Sequence, residues 1–240
     1  GRWSVVACDP LWTATARGKQ LVRQWRDGRV DEFIGNPFEG MRKWLAEYRI
    51  FSVPDLPPMG QLYGMWGFEL INWIEPTVPV HSRAQTDLPD GIWMLMDNIL
   101  IVDQVKRLIT AVSYADLTFD KPESLAWENA LGRIDELERR MAAPLPEVQP
   151  LQWQQKENSS TSTISNFTRS GFEKSVQKAR EHIAAGDVFQ LVLSQQLEVR
   201  VNQDPLELYR SLRIVNPSPY MAFFDFGDWQ LIGSSPEVMV

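Results

Sequence analysis

The 240-residue sequence predicts a mixed fold in which antiparallel β-structure carries the core and separate helices flank it. Three observations predict it. A meander pattern opens the chain, a nearly unbroken apolar run of the kind found in sandwich cores fills its middle, and helix starts at Asn36, Ser170 and Asp204 carry their own capping residues.

Taken in order, Trp3 to Ala7 reads as a short strand. Residues 11–17 and 19–26 alternate about Gly18, and Asp27-Gly28 marks a turn before a third strand over 29–34. Asn36-Pro37-Phe38-Glu39 predicts a helix running to about Tyr48, with Asn36 as cap, Pro37 at the first helical position and Glu39 as a capping-box partner. Pro54 to Pro58 reads as a rigid connector. The stretch Gly60 to Phe68 reads as a strand with three glycines among large aromatics. Either something approaches that backbone closely or the glycines make room for neighbouring rings. Glu69 to Ile74 reads as helical.

Trp93 to Val102 is apolar except for Asp97-Asn98, and with residues 108–114 it predicts one long hairpin covered on both faces. Pro122 opens a long helix whose expected apolar stripe is Leu125, Leu131, Ile134, Leu137 and Met141. Residues 142–166 hold Pro144, Pro146 and Pro150, then Gln, Ser and Thr, which is the composition of a linker. Ser170-Gly171-Phe172-Glu173 predicts a new helix with the stripe Phe172, Val176, Ala179 and Ile183, closed by Gly186. Strands are expected over 188–193 and 197–201. Asp204-Pro205-Leu206-Glu207 starts a further helix, and residues 221–226 and 231–233 form a hairpin about Gly227-Asp228.

The totals exclude some functions. The net charge is −7 and no Lys/Arg run exceeds two, so a phosphate backbone is a poor partner and no nucleic acid is expected. No apolar run reaches the ~18 residues of a membrane span, so no membrane partner is expected. The single cysteine, Cys8, rules out an internal disulfide and suits a reducing compartment; it is expected as buried packing. His182 reads as a surface or packing residue and His81 as a loop residue without a role. The chain opens on what looks like mid-domain strand, and after Ser234-Ser235-Pro236-Glu237 a new apolar run begins and stops at Val240. That ending reads as a short edge strand or as an interruption within a longer protein.

Asn216-Pro217-Ser218-Pro219-Tyr220-Met221 is the sharpest local feature. Proline fixes its own φ and pushes the preceding residue toward extended geometry, so Asn216 and Ser218 are both constrained. A stiff row of carbonyls results. Beside a sheet edge it can accept hydrogen bonds from an ammonium group, with Tyr220 and Met221 as an apolar wall. The same elbow serves equally as a plain helix-to-strand connector.

Five stretches taken in order resemble the large subunit of anthranilate synthase (component I), a family of chorismate-using enzymes. They are 60–75, 95–106 (Leu-Met-Asp-Asn-Ile-Leu-Ile-Val-Asp-Gln-Val-Lys), 165–195 (Ser-Asn-Phe-Thr-Arg through Asp-Val-Phe-Gln-Leu-Val-Leu-Ser-Gln), 204–221, and 231–237 (Leu-Ile-Gly-Ser-Ser-Pro-Glu). The likeness spans nearly the whole chain and is strongest in its last 75 residues. It departs at Gln61, Phe68-Glu69 and Gln196, the last standing where an arginine is common.

The resemblance implies an α+β architecture of antiparallel β-sheets packed as a sandwich with helices outside, here incomplete. Residues 1–145 would be part of the N-terminal domain, 146–166 a linker, and 167–240 the start of the chorismate-binding domain. It implies conversion of chorismate and ammonia to anthranilate and pyruvate, the first step of tryptophan biosynthesis. Ammonia would come from a glutamine amidotransferase subunit, and Mg²⁺ would be the cofactor. The metal ligands and catalytic residues would lie outside this chain, which alone would be inactive. Asn216, Pro217, Ser218, Pro219, Tyr220 and Met221 match the family's feedback site for L-tryptophan. The location implied is cytoplasmic, or plastid if a targeting segment precedes residue 1. Alternatives are an aminodeoxychorismate or isochorismate synthase, or a truncated non-catalytic paralogue that binds an amino acid or docks an amidotransferase.

Overall fold

A computed structural model describes residues 2–49, 56, 61–78, 88–117, 122–145 and 163–237. Most of the proline connector at 54–58, His81, most of the expected linker and the terminal run 238–240 lie outside the described residues. The chain divides into two compact units, Gly1–Glu147 and Val148–Val240.

The first unit contains β1 (Trp3–Val6), β2 (Trp12–Arg17), β3 (Gln20–Trp25), β4 (Val30–Ile34), helix α1 (Pro37–Leu45), β5 (Leu62–Trp66), a 3-10 turn over Phe68–Leu70, α2 (Ile71–Ile74), β6 (Gly91–Leu95), β7 (Asn98–Asp103), β8 (Leu108–Ser113) and α3 (Glu123–Ala142). The expected meander is present. Strands β2, β3 and β4 pair antiparallel, and β6 and β5 extend them to a five-stranded sheet of order β4-β3-β2-β6-β5. A second sheet, β1-β7-β8, is also antiparallel throughout. The tight turns fall where the sequence places glycine: Gly18 has φ +58° and Gly28 φ +88°, values that L side chains rarely adopt.

The expected hairpin over 93–114 needs correcting. Its first apolar run is two strands in two sheets: β6 belongs to the five-stranded sheet and only β7 pairs with β8. The switch is pinned at Asp97. Its carboxylate accepts from Arg26 Nη2 at 2.6 Å and lies 3.6 Å from Arg133 Nε. Tyr114 N–H donates to the Asp97 carbonyl, and Met96 N–H to that of Gln61. Every residue of β6 is buried, which is why the run reads as continuous rather than alternating.

One face of the larger sheet is closed by α1. Asn36 Oδ1 accepts from Phe38 N–H at 2.9 Å, and Pro37 occupies the first turn, as expected. The helix ends at Leu45 rather than Tyr48. Met41 and Trp44 are buried with Trp12, Ala14, Ala16, Leu21, Trp25, Trp93 and Leu95. Burying a side chain such as Leu21 contributes about 1.5–3 kcal/mol. Arg23 is buried among them, its guanidinium 4.6 Å and 4.7 Å from the Trp25 and Trp44 rings and bonded to Asp31 and Glu47. Phe38 stacks on Trp66 at 4.5 Å, and Trp66 meets Trp93 edge-on at 4.3 Å.

Of the two expected readings of the glycine-rich strand, close approach holds at its described glycines: Gly67 faces the Asp90 carbonyl, and ring-filling is seen only outside that stretch, in β6. At Gly64 the close approach is by the backbone of β6, whereas at Gly91 the space is filled by the Trp93 ring. On α3 the expected stripe holds at Leu137, with Ile134 half-buried, and fails at its other positions. Ala126, Ala130 and Leu137 are the buried positions, while Leu125, Leu131 and Met141 are exposed. The helix packs on β8, and Arg133 reaches from it to Ser113 Oγ and the Tyr114 carbonyl.

In the second unit, β9 (Ile164–Ser165) pairs with β10 (Leu197–Glu198), and α4 (Arg169–Ala185), α5 (Pro205–Val215), β11 (Tyr220–Asp225) and β12 (Gln230–Ser235) complete the described elements. Gly186 closes α4 in the left-handed region at φ +82°, as expected. The cap of α4 is Thr168, whose Oγ1 accepts from Gly171 N–H, and not Ser170. The strand expected over 188–193 is absent, and that over 197–201 is reduced to two residues. Phe189 and Val192 are 95% and 82% exposed, so this apolar run has no packed face here. No described residue of 163–237 is buried.

A pH-dependent clamp ties β1 to β7. Asp103 bonds Arg2 Nη2 at 2.9 Å and accepts from the N–H groups of Val105 and Lys106. The Arg2 bonds, with those two N–H groups, hold its carboxyl down at about 2. An unfolded aspartate titrates near ~4. The stabilisation is therefore full above ~pH 4 and is lost as pH falls through about 2. Carboxyl NMR titration should find Asp103 well below the other aspartates, and Arg2→Ala should move it upward; a normal value in the unaltered chain contradicts the clamp.

Candidate functional site

The candidate site is the elbow between α5 and β11. Asp204 Oδ1 accepts from Leu206 N–H at 2.7 Å and Pro205 fills the first turn, which fixes where α5 begins. The helix ends at Asn216, which leaves helical geometry at φ −138° and ψ 66° while its N–H still donates to Leu212 O at 2.9 Å. The two prolines then carry the chain over to β11 without offering an N–H of their own. α5 lies on the hairpin it precedes, with the Tyr209 and Phe223 rings 5.7 Å apart.

Of the six residues singled out in the sequence, Asn216 to Pro219 make this turn and Tyr220 and Met221 open β11, and the turn is tied to the strand opposite. The Ser218 hydroxyl donates to the carbonyl of Ser235 and accepts a long bond, 3.4 Å, from Tyr220 N–H. The Ser234 hydroxyl donates to the carbonyl of Asn216 at 2.9 Å. The β11–β12 register explains both contacts, since Tyr220 stands opposite Ser235 and Met221 opposite Ser234. One carbonyl of the expected row thus already has a donor, and a second lone pair remains on the same oxygen.

Strand alternation separates the two wall residues. Met221 shares a face with Phe223, which meets α5, while Tyr220 shares the opposite face with Ala222 and Phe224. Tyr220 is 48% exposed and Met221 half-buried. A small ligand on one side of β11 meets one of them.

Sequence reasoning missed Ser234 and Ser235 as parts of the elbow. The available signal was the expected hairpin itself: counted outward from Gly227-Asp228, the pairing sets this hydroxyl pair against Tyr220 and Met221.

The remaining candidates are modest. His182 Nδ1 lies 2.8 Å from Asp187 Oδ2 at the exposed end of α4, which agrees with a surface role. Cys8 is half-buried rather than core; its sulfur accepts from Arg140 Nη1 at 3.1 Å, and desolvation pushes the thiol up. Gln196 is held by Asn166, its N–H donating to Asn166 Oδ1 at 2.9 Å. Among the described residues no three His, Cys, Asp or Glu side chains converge. Nor is any described helix long and apolar enough to cross a membrane.

Comparison with known proteins gives a consistent set of relatives. Residues 10–240 match the family model described as chorismate binding enzyme. The chain is 45% identical over its whole length to anthranilate synthase component 1 of Synechocystis, covering 48% of that protein. It is 35% identical to anthranilate synthase component 1 of Cereibacter sphaeroides, again over 100% of this chain and 48% of that protein. Among solved structures, anthranilate synthase component I of Streptococcus pneumoniae superposes with a TM-score of 0.76 at 26% identity, over 99% of this chain and 51% of that one. The chain thus spans about half the length of the curated relatives it matches.

Proposed function

The chain belongs to the family of chorismate-binding enzymes, and on that premise we propose that it is a portion of an anthranilate synthase large subunit. The whole protein would convert chorismate and ammonia to anthranilate and pyruvate, the first step of tryptophan biosynthesis. The observation that carries this reading is the 45% identity to an anthranilate synthase component 1 along the entire chain. The ammonia would be released from glutamine by an amidotransferase subunit. Mg²⁺ is proposed as cofactor of the whole enzyme, on ligands other than the described residues of this chain. A cytoplasmic or plastid location accompanies the proposal.

The regulatory part of the reading places L-tryptophan at Asn216, Pro217, Ser218, Pro219, Tyr220 and Met221. The ligand's ammonium would be held by elbow carbonyls and its indole laid against the thioether of Met221 or the ring of Tyr220. The physical support is a turn whose carbonyl directions are fixed by two prolines and two hydroxyl ties. A rigid acceptor row loses little entropy on binding. Tryptophan would then lower chorismate affinity by favouring a poorly binding state, a coupling of typically ~1–3 kcal/mol.

The complete gene product, assayed with chorismate, ammonium and Mg²⁺, should release fluorescent anthranilate and pyruvate in equal amounts. Release of isochorismate or aminodeoxychorismate instead would overturn the reading. The 240-residue chain alone should show no turnover and at most weak tryptophan binding by calorimetry.

A further inference from the structure

We infer that Ser234 is a positioning residue for tryptophan inhibition, acting through the backbone of the elbow and not by touching the ligand. The inference rests on the proposal that the elbow is the tryptophan site. The two prolines fix one part of the elbow's backbone and leave another part free. Pro217 and Pro219 set their own φ angles and restrict Asn216 and Ser218, but ψ of Asn216 is 66°, far from the range favoured before proline. That rotation aims the Asn216 carbonyl. Something outside the elbow has to hold it.

The Ser234 hydroxyl does so. It donates to the Asn216 carbonyl at 2.9 Å from the facing strand, across 18 positions of sequence. Ser218, from inside the elbow, donates in the other direction to the carbonyl of Ser235. The two hydroxyls form a reciprocal clasp: each strand gives one donor and one carbonyl. The ladder carries it, because Met221 opposite Ser234 and Tyr220 opposite Ser235 are the first two pairs of the hairpin. A second lone pair stays on the Asn216 oxygen, so the clasp orients this acceptor without consuming it.

The clasp also links two stretches that the sequence lists separately. Ser234-Ser235-Pro236-Glu237 follows directly from the clasped strand, and the Ser235 hydroxyl donates to the Glu237 carbonyl at 3.1 Å. A ligand that shifts the Asn216 carbonyl therefore pulls on Ser234 and on the segment after it. This gives effector binding a physical route out of the elbow through two hydrogen bonds and one strand end.

The test measures tryptophan inhibition of the complete gene product with chorismate as substrate. Ser234→Ala removes the donor and should raise the tryptophan concentration for half-inhibition by roughly three- to tenfold, the size of one neutral hydrogen bond. Ser234→Thr keeps a hydroxyl and should restore at least half of the lost sensitivity, which a merely structural role would not predict. Tyr220→Ala and Met221→Ala, one on each face of β11, report on the underlying reading; at least one must desensitise the enzyme. If one of them does and Ser234→Ala does not, the positioning role is overturned. If neither does, the elbow is not the tryptophan site, and the inference falls with it. Unfolding of Ser234→Ala, monitored by circular dichroism, would count against it as well, because a half-buried hydroxyl on a hairpin should be dispensable for folding.

Discussion

Gly64→Ala should destabilise the chain by about 3 kcal/mol or more, the upper end of overpacking costs, because its new methyl has nowhere to go. An ideal Cβ at this position lies 2.1 Å from the Ile92 carbonyl oxygen and 2.7 Å from Trp93 Cα. Both are backbone atoms, so no rotamer change relieves the contact. Gly64 pairs with Trp93 in the β5–β6 ladder, and the ladder would have to open. Its neighbour Trp66 would lose registration with the Trp93 and Phe38 rings. Gly132→Ala is the matched control. It sits inside α3 with no atom within 4 Å of the added methyl, and alanine there should stabilise by ~0.5–1 kcal/mol. Urea denaturation of both variants decides the matter. Equal small effects would mean that β5 does not lie this close to β6.

The second large effect is expected at Asp97. Asp97→Ala should cost about 3 kcal/mol, the low end for breaking a buried ion pair. The low end is chosen because Arg26 is 40% exposed and recovers hydration, while Arg133, at 22%, recovers less. The carboxylate stands where the chain leaves one sheet and enters the other. It joins Arg26, just past β3, to Arg133 of α3, which in turn donates to Ser113 Oγ and the Tyr114 carbonyl. Asp27→Ala, which removes an exposed pair with Arg29, should change stability by less than ~0.5 kcal/mol. Were the two variants to unfold at the same urea concentration, Asp97 would not be the joint between the sheets.

Much of the fold was legible in the residues. The caps at Asn36 and Asp204 and the stop at Gly186 were readable because each is decided within one turn of helix. The meander was readable because Gly18 and Asp27-Gly28 fix the turns while alternation fixes the faces. The elbow residues could be picked out for the same local reason. Errors arose where the partner lies far along the chain. The run over 93–102 gave no hint that β6 and β7 part company, since a strand buried on both faces shows no periodicity. On α3 the large side chains led to Leu137 correctly, but Ala126 and Ala130 are buried where Leu125 and Leu131 were expected, a choice of face that only tertiary packing makes. The segment 188–193 has every strand residue it needs and no ladder among the described residues, and a strand cannot exist singly.

The sequence by itself determined the caps at Asn36 and Asp204, the turns of the meander, the antiparallel pairing of its strands and the φ restrictions that the two prolines place on the elbow. These depend on φ restrictions and on hydrogen bonds that close within a few residues. Tertiary structure alone decided which sheet each central strand joins, which face of α3 is buried, and that Ser234 reaches the Asn216 carbonyl. Those outcomes rest on pairings between residues 18 to 100 positions apart, such as Ser234 with Asn216 and Trp3 with Asp103. Local propensity carries no information about such a pairing until the chain has closed the loop that creates it.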